Sequence, residues 1–167
     1  LLTSMIVEIG KQISNIGFKR LILLNAHGGQ ISLLNTAARE LRSVTPNLNV
    51  FPCFLWSGVK GLDKVLTKSE LENGLHASLA ETSLMMSLKP QLVGEERPCE
   101  GIPKNTPNGW SLEGDAPTAW FTEDISESGV IGDSRGANLE LGNKLKKLLI
   151  DHWYELIIGL MSSDWPS

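Results

Sequence analysis

The chain has 167 residues, of which 41% are hydrophobic and 20% charged, with a net charge of −4. This is the make-up of an ordinary globular protein, long enough for one domain with a real core. It has no Lys or Arg run suited to nucleic acid or an anionic membrane, no apolar stretch of membrane-spanning length, and no charged signal-peptide start in Leu1 to Met5.

In chain order, Met5, Ile6, Ile9, Ile13 and Ile16 have helical spacing over residues 3–16, and Gly17 suits the position after a helix end. Leu21 to Leu24 are short and apolar enough for a buried strand, 20–24. Ile31, Leu33, Leu34, Ala37, Ala38 and Leu41 make the next helix, which Pro46 stops. Residues 49–56 are β-compatible and form a second strand. Cys53 within it is expected to be a buried free thiol. With only Cys99 besides, there is no disulfide framework, and a reducing cytoplasm is the simplest compartment. Helix–strand–helix–strand order predicts a three-layer α/β fold with a mostly parallel sheet and a right-handed crossover.

Residues 57–75 read as a short helix and loop, and residues 79–88 as a helix that ends before Pro90. Residues 97–118 carry Pro98, Pro103, Pro107, Pro117, Gly101, Gly109, Gly114 and Trp110, with little periodicity. A loop of that length in a compact domain is usually functional or covers something. Trp120 and Phe121 suggest a short strand. A last helix over 137–160 has Leu141, Leu145, Leu148, Leu149, Trp153, Leu156, Ile157 and Leu160 on one broad face. His152 lies among them as a packing or surface residue, outside any site.

Two segments carry chemistry. Asn25-Ala-His27-Gly28-Gly29-Gln30 follows the first strand directly. Polar residues there stand at the carboxyl edge of a sheet, where ligands bind in α/β folds. A neutral His27 imidazole suits a metal ion or proton transfer, and the glycines let the chain turn and leave room beside the ring. The plain alternative is a tight βα turn with the ring bonded to a carbonyl. A phosphate-binding turn lacks both Gly-x-Gly-x-x-Gly and a following Lys-Ser/Thr. The second segment is His76-Ala-Ser78-Leu-Ala-Glu81-Thr-Ser83. Here Ser78 and Glu81 have the spacing of a capping box, with Glu81 reaching back to the Ser78 N–H. His76 would then sit in the preceding loop and approach a site from outside the helix, where an acid or base is useful.

Asn-x-His-Gly-Gly-x followed by His-Ala-x-x-x-Glu-Thr-Ser resembles the creatininase family of amidohydrolases. A third segment, Gly129-Val-Ile-Gly132-Asp133 with Ala137, Glu140 and Gly142, resembles that family's closing motif, so the likeness spans about residues 20–142. Ala26, Gln30 and Ser78 depart from the usual family residues. Some relatives carry a Glu where Gly29 stands. A Trp-Asp pair precedes the His in creatinine-cleaving members, whereas Glu72 and Asn73 stand here, which argues against creatinine as substrate.

The resemblance implies a creatininase-like α/β fold and metal-dependent hydrolysis of a small non-peptide C–N bond. It implies a dinuclear zinc or manganese site, a small-molecule amide substrate and a homo-oligomer. It makes His27 a metal ligand, His76 a catalytic residue that contacts substrate and moves protons, and Glu81 a metal ligand or catalytic carboxylate beside the metal. The three are then expected to share one pocket. The family's upstream Glu-x-His segment and a later Asp ligand are not found here, so the chain reads as a single domain, 1–167, lacking the family's N-terminal segment. The alternative is a catalytically silent or truncated domain that binds partners.

Overall fold

The apolar spacing at the N-terminus becomes helix α1, Leu2–Asn15, in the computed structural model, which describes residues 1–166. Gly17 ends it. Its φ of 97° is a left-handed value natural to glycine. That conformation lets the Gly17 N–H reach Ser14 O at 3.0 Å and the Phe18 N–H reach Ile13 O at 3.3 Å, closing a Schellman motif. Strand β1 (Arg20–Asn25), helix α2 (Ile31–Val44) and strand β2 (Asn49–Phe54) follow. β1 and β2 pair in parallel, from Arg20 opposite Asn49 to Asn25 opposite Phe54. The architecture is therefore α/β, with α2 as the crossover.

Two compact units make up the chain: Leu1–Gly58 with the segment from Trp153 on, and Val59–His152. The core of the first is Val7, Leu41 and Leu48, with Ile13, Leu21 and Val50 packed on it. Gly10 is needed there, because a Cβ would run into the Leu41 side chain. The end of the last helix is tied to the strands. Arg20 donates to Leu160 O at 2.7 Å and to Ser163 O at 2.5 Å, and Trp153 Nε1 donates to Leu55 O at 2.8 Å.

The strands are less buried than their apolar run suggests. Most β1 residues and all of β2 are half-buried, and Leu24 is 48% exposed. Parallel strands bury both faces only inside a larger covered sheet, and among the described residues this sheet has two strands. Cys53 is accordingly half-buried rather than buried, although burial still raises its thiol pKa.

The second unit holds α3 (Lys68–Asn73), α4 (Leu79–Leu88), β3 (Cys99–Glu100), β4 (Gly132–Asp133) and most of α5 (Leu139–Met161). α4 has the expected bounds. β3 and β4 pair antiparallel. The expected strand at Trp120 and Phe121 does not form. Its backbone enters a tight turn instead, where the Phe121 N–H donates to Asp124 Oδ2 at 2.8 Å and Phe121 is 75% exposed. Among the described residues no helix is long and apolar enough to cross a membrane.

Candidate functional site

Asn25 is the last residue of β1 and is 8% exposed. Its side-chain amide acts as a surrogate peptide group for His27. Oδ1 accepts the His27 N–H at 3.1 Å, and Nδ2 donates to His27 O at 2.6 Å. Both bonds are satisfied within two residues of sequence, so the turn is locally specified. His27 is thereby held extended, with φ −114° and ψ 124°, at the entry to a 3-10 turn over Gly28–Gln30, and the residue is exposed. Asn25 thus orients the His27 backbone, not a ring nitrogen. The glycines also differ from expectation. Neither needs a left-handed conformation. Gly29 matters for space, because a Cβ there would lie 3.1 Å from His27 Nε2, while a Cβ at Gly28 would meet nothing.

His76 and Glu81 lie in the second unit and are linked through Ala77. The His76 backbone bridges to Ile131: its N–H donates to Ile131 O at 3.1 Å and its carbonyl accepts the Ile131 N–H at 2.8 Å. Ile131 is fully buried, so this end of the turn is anchored in the core. Ala77 has φ 49°, a left-handed value that costs a residue with a Cβ. The next helical turn holds it there. Glu81 Oε2 accepts the Ala77 N–H at 2.7 Å, and Thr82 Oγ1 donates to Ala77 O at 2.8 Å. Glu81 therefore reaches back one residue further than a capping box requires. The side chain of Ser78, the N-cap residue of α4, makes no cap bond.

What holds the start of α4 is a residue sequence reasoning missed. Glu70 of α3 is 7% exposed, and both of its carboxylate oxygens are used. Oε2 accepts the Ser78 hydroxyl at 2.6 Å and Oε1 accepts the Ala80 N–H at 2.8 Å. A carboxylate at a helix N-terminus also meets the positive end of the helix dipole. The sequence held one signal: Thr67-Lys-Ser-Glu70 reads as a capping box, and Thr67 Oγ1 does accept the Glu70 N–H at 3.1 Å. The carboxylate of that box is spent on the next helix.

The closing motif docks onto the His76 motif. Asp133 N–H donates to Ser78 Oγ at 3.0 Å, and a Cβ on Gly132 (φ 128°) would strike the Ser78 side chain. Ser83 is fully buried and its Oγ accepts the Asn138 N–H at 3.1 Å. Asn138 Oδ1 in turn accepts the Leu141 N–H at 2.9 Å at the start of α5. Gly142 packs so tightly on the Ser83 carbonyl that any Cβ would overlap it. Arg135 forks onto Asp133, donating Nε to Oδ1 at 2.9 Å and Nη2 to Oδ2 at 2.8 Å. This hydrogen-bonded ion pair holds the Asp133 carboxyl at about 2. Trp110 and Glu113 of the 97–118 segment line a cavity of ≈ 140 Å³ together with Glu72, Asn73 and Leu75, the residues just before His76.

A sequence-family model, creatininase (creatinine amidohydrolase), matches residues 1–157. The chain belongs to the creatininase family. No match was found among curated protein sequences. Among solved structures, a candidate creatinine amidohydrolase from Bacteroides fragilis superimposes with TM-score 0.78 at 21% identity, covering 99% of this chain and 63% of that one. A creatininase superimposes at TM-score 0.72 and 22% identity, covering 97% of this chain and 64% of that one. A manganese form of creatininase gives TM-score 0.69 at 22% identity with the same coverage. The creatininase fold expected from the motifs is thus present, and the chain spans under two thirds of the length of these relatives.

A metal is the group this family suggests. Among the described residues no three His, Cys, Asp or Glu side chains come together to hold one. Glu81 already has one oxygen on a backbone N–H. The residues present therefore do not by themselves fit a dinuclear centre.

Proposed function

We propose that this creatininase-family chain serves a metal-dependent amidohydrolase acting on a small non-peptide C–N bond. The observation that carries the reading is the exposed His27, whose backbone conformation two bonds from a buried asparagine fix at the end of a parallel strand. A ligand histidine needs such fixed presentation. Family membership supports hydrolase chemistry, and solved relatives include a zinc–zinc and a manganese creatininase. In this reading His27 is a metal ligand, and the remaining ligands are ones that these residues do not supply as a cluster.

His76 moves the proton that the leaving nitrogen needs. Glu81 is the second metal ligand or the catalytic carboxylate beside the metal, and the Ala77 N–H on its Oε2 gives it a positioning duty as well. The substrate is a small amide, and Glu72 and Asn73 in place of Trp-Asp favour one other than creatinine. The cytoplasm as compartment and assembly into a homo-oligomer belong to the same proposal.

The 167-residue chain by itself should bind zinc or manganese weakly and hydrolyse little, so the test pairs metal analysis with small-amide hydrolysis in a form that spans the length of its relatives, prepared with zinc or manganese. His27→Ala should lose bound metal and any activity with it. His76→Ala should keep the metal and lose about 10²- to 10⁴-fold in rate, as for a general acid–base residue. Metal loss from the His76 variant with retention in the His27 variant would reverse the assignment.

A further inference from the structure

We infer that Glu70, which lies outside all three family-like motifs, is a positioning residue for His76. The inference rests on the proposed proton-moving role of His76 only for its consequence; the geometry stands without it. The turn that carries His76 is held at two ends. Its near end is the backbone bridge from His76 to the buried Ile131. Its far end is Ser78, which is 1% exposed. Ser78 Oγ donates to Glu70 Oε2 at 2.6 Å while accepting the Asp133 N–H at 3.0 Å. Because Glu70 can only accept, it fixes the direction of the Ser78 hydroxyl hydrogen and leaves the Oγ lone pairs for Asp133. One carboxylate therefore ties α3, the first turn of α4 and β4 to a single point.

Between the two ends lies Ala77 in its left-handed conformation, which has little intrinsic preference to stay there. Glu81 and Thr82 hold it there from the first turn of α4, so loosening Ser78, the N-cap of that turn, shifts the frame that holds Ala77 and, through it, the His76 side chain. Gly74 shows that the carboxylate has a built socket, since a Cβ there would come within 2.6 Å of the Glu70 carboxyl carbon. Glu70 touches no reacting group in this account and acts only through Ser78.

Glu70→Gln tests this. It keeps the size and the acceptor for the Ala80 N–H, yet presents an N–H donor or a competing geometry to Ser78. Ser78→Ala removes the relay from the other side. The readout is the His76 imidazole cross-peak at fixed pH, assigned with His76→Gln, and recorded well below the melting temperature of each variant. Both single variants should shift that peak, and the double variant should shift it no further. Leu149→Ala, a cavity variant on α5 in the same unit, should lower the melting temperature and leave the peak in place. An unmoved peak in folded Glu70→Gln, or an equal shift in Leu149→Ala, would overturn the proposal. Because the signal does not depend on turnover, failure of the hydrolase reading would leave this result standing, and the reverse holds too.

Discussion

The two histidine-bearing turns are built on opposite principles. At His27 the chain specifies itself, because Asn25 supplies both bonds that shape the turn from two residues away. At His76 the local bonds from Glu81 and Thr82 to Ala77 are not enough, and distant residues complete the turn. Its turn leans on Ile131, Asp133 and Glu70, and the α4 helix behind it leans on Asn138 and Gly142. The first design should survive changes elsewhere and fail only through its own few residues. The second should fail from many directions and cooperatively, since each contact fixes partners of the others.

Glycine substitutions should expose that contrast most strongly. Gly142→Ala places a Cβ on the Ser83 backbone carbonyl, which cannot give way as a side chain could. A loss of about 3–5 kcal/mol is expected, at the upper end for point changes, or failure of the second unit to fold. Gly28→Ala meets nothing and has no left-handed φ. It should be neutral, or stabilising by up to about 1 kcal/mol through the unfolded chain. Thermal or urea unfolding of the two variants measures the gap. Similar losses from both would remove the contrast drawn between the turns.

Deleting polar partners should give a smaller gap of the same kind. Ser83→Ala removes a fully buried hydroxyl and leaves the partly buried Asn138 N–H without its acceptor, and should cost about 1–3 kcal/mol. Hydrogen exchange should quicken at the start of α5 as well as in α4. Asn25→Ala removes two bonds, but the groups released belong to an exposed turn where water can replace them. Its effect should be about 1 kcal/mol, with faster exchange confined to residues near 25–30. Quickened exchange across the first unit would show that this turn is less self-contained than its bonds suggest.

This difference also explains what could be read in advance. The βαβ crossover and the bounds of α4 were legible because hydrophobic period and Gly and Pro punctuation decide them. Glu70 was not legible as the anchor of α4. Its local signature is a capping box on its own helix, and only the folded chain shows that its carboxylate crosses to another. The half-buried strands were misjudged for a related reason, since a periodicity says which residues want burial and nothing about how many strands are there to cover them. Glu81 shows a third case. Residue spacing offered a cap or a site carboxylate, and the structure gives it the Ala77 N–H, a bond that serves the left-handed turn.

Space beside the His27 ring offers a sharper probe of the local turn. A Cβ on Gly29 would stand 3.1 Å from Nε2, close enough to push the imidazole by a few tenths of an ångström. Gly29→Ala should therefore change stability by under about 1 kcal/mol. It should nonetheless weaken zinc binding slightly if His27 is a ligand, because that shift uses up most of the roughly 0.5 Å within which a ligand must be held. Gly28→Ala is the matched control. Equal zinc affinity in the two variants would mean that the ring is not where the metal goes.

The smallest expected effect is acidic. The Arg135 guanidinium holds the Asp133 carboxyl at about 2, below its ordinary 3.8. A carboxylate with a lowered folded pKa adds stability that is fully present above the ordinary value and is lost as pH falls from there through about 2. Arg135→Ala should remove that contribution, so the variant should be less stable than the parent above pH 4 and converge with it near pH 2. The side chains are 67% and 40% exposed, so solvent screens the pair and the difference should be small. The Asp133 backbone N–H, not its carboxylate, holds Ser78. The His76 imidazole signal should therefore stay in place in Arg135→Ala even where stability falls. A shifted signal would show that the ion pair on the outside of this cluster also sets the turn within it, and the division between an exposed brace and a buried anchor would have to be redrawn.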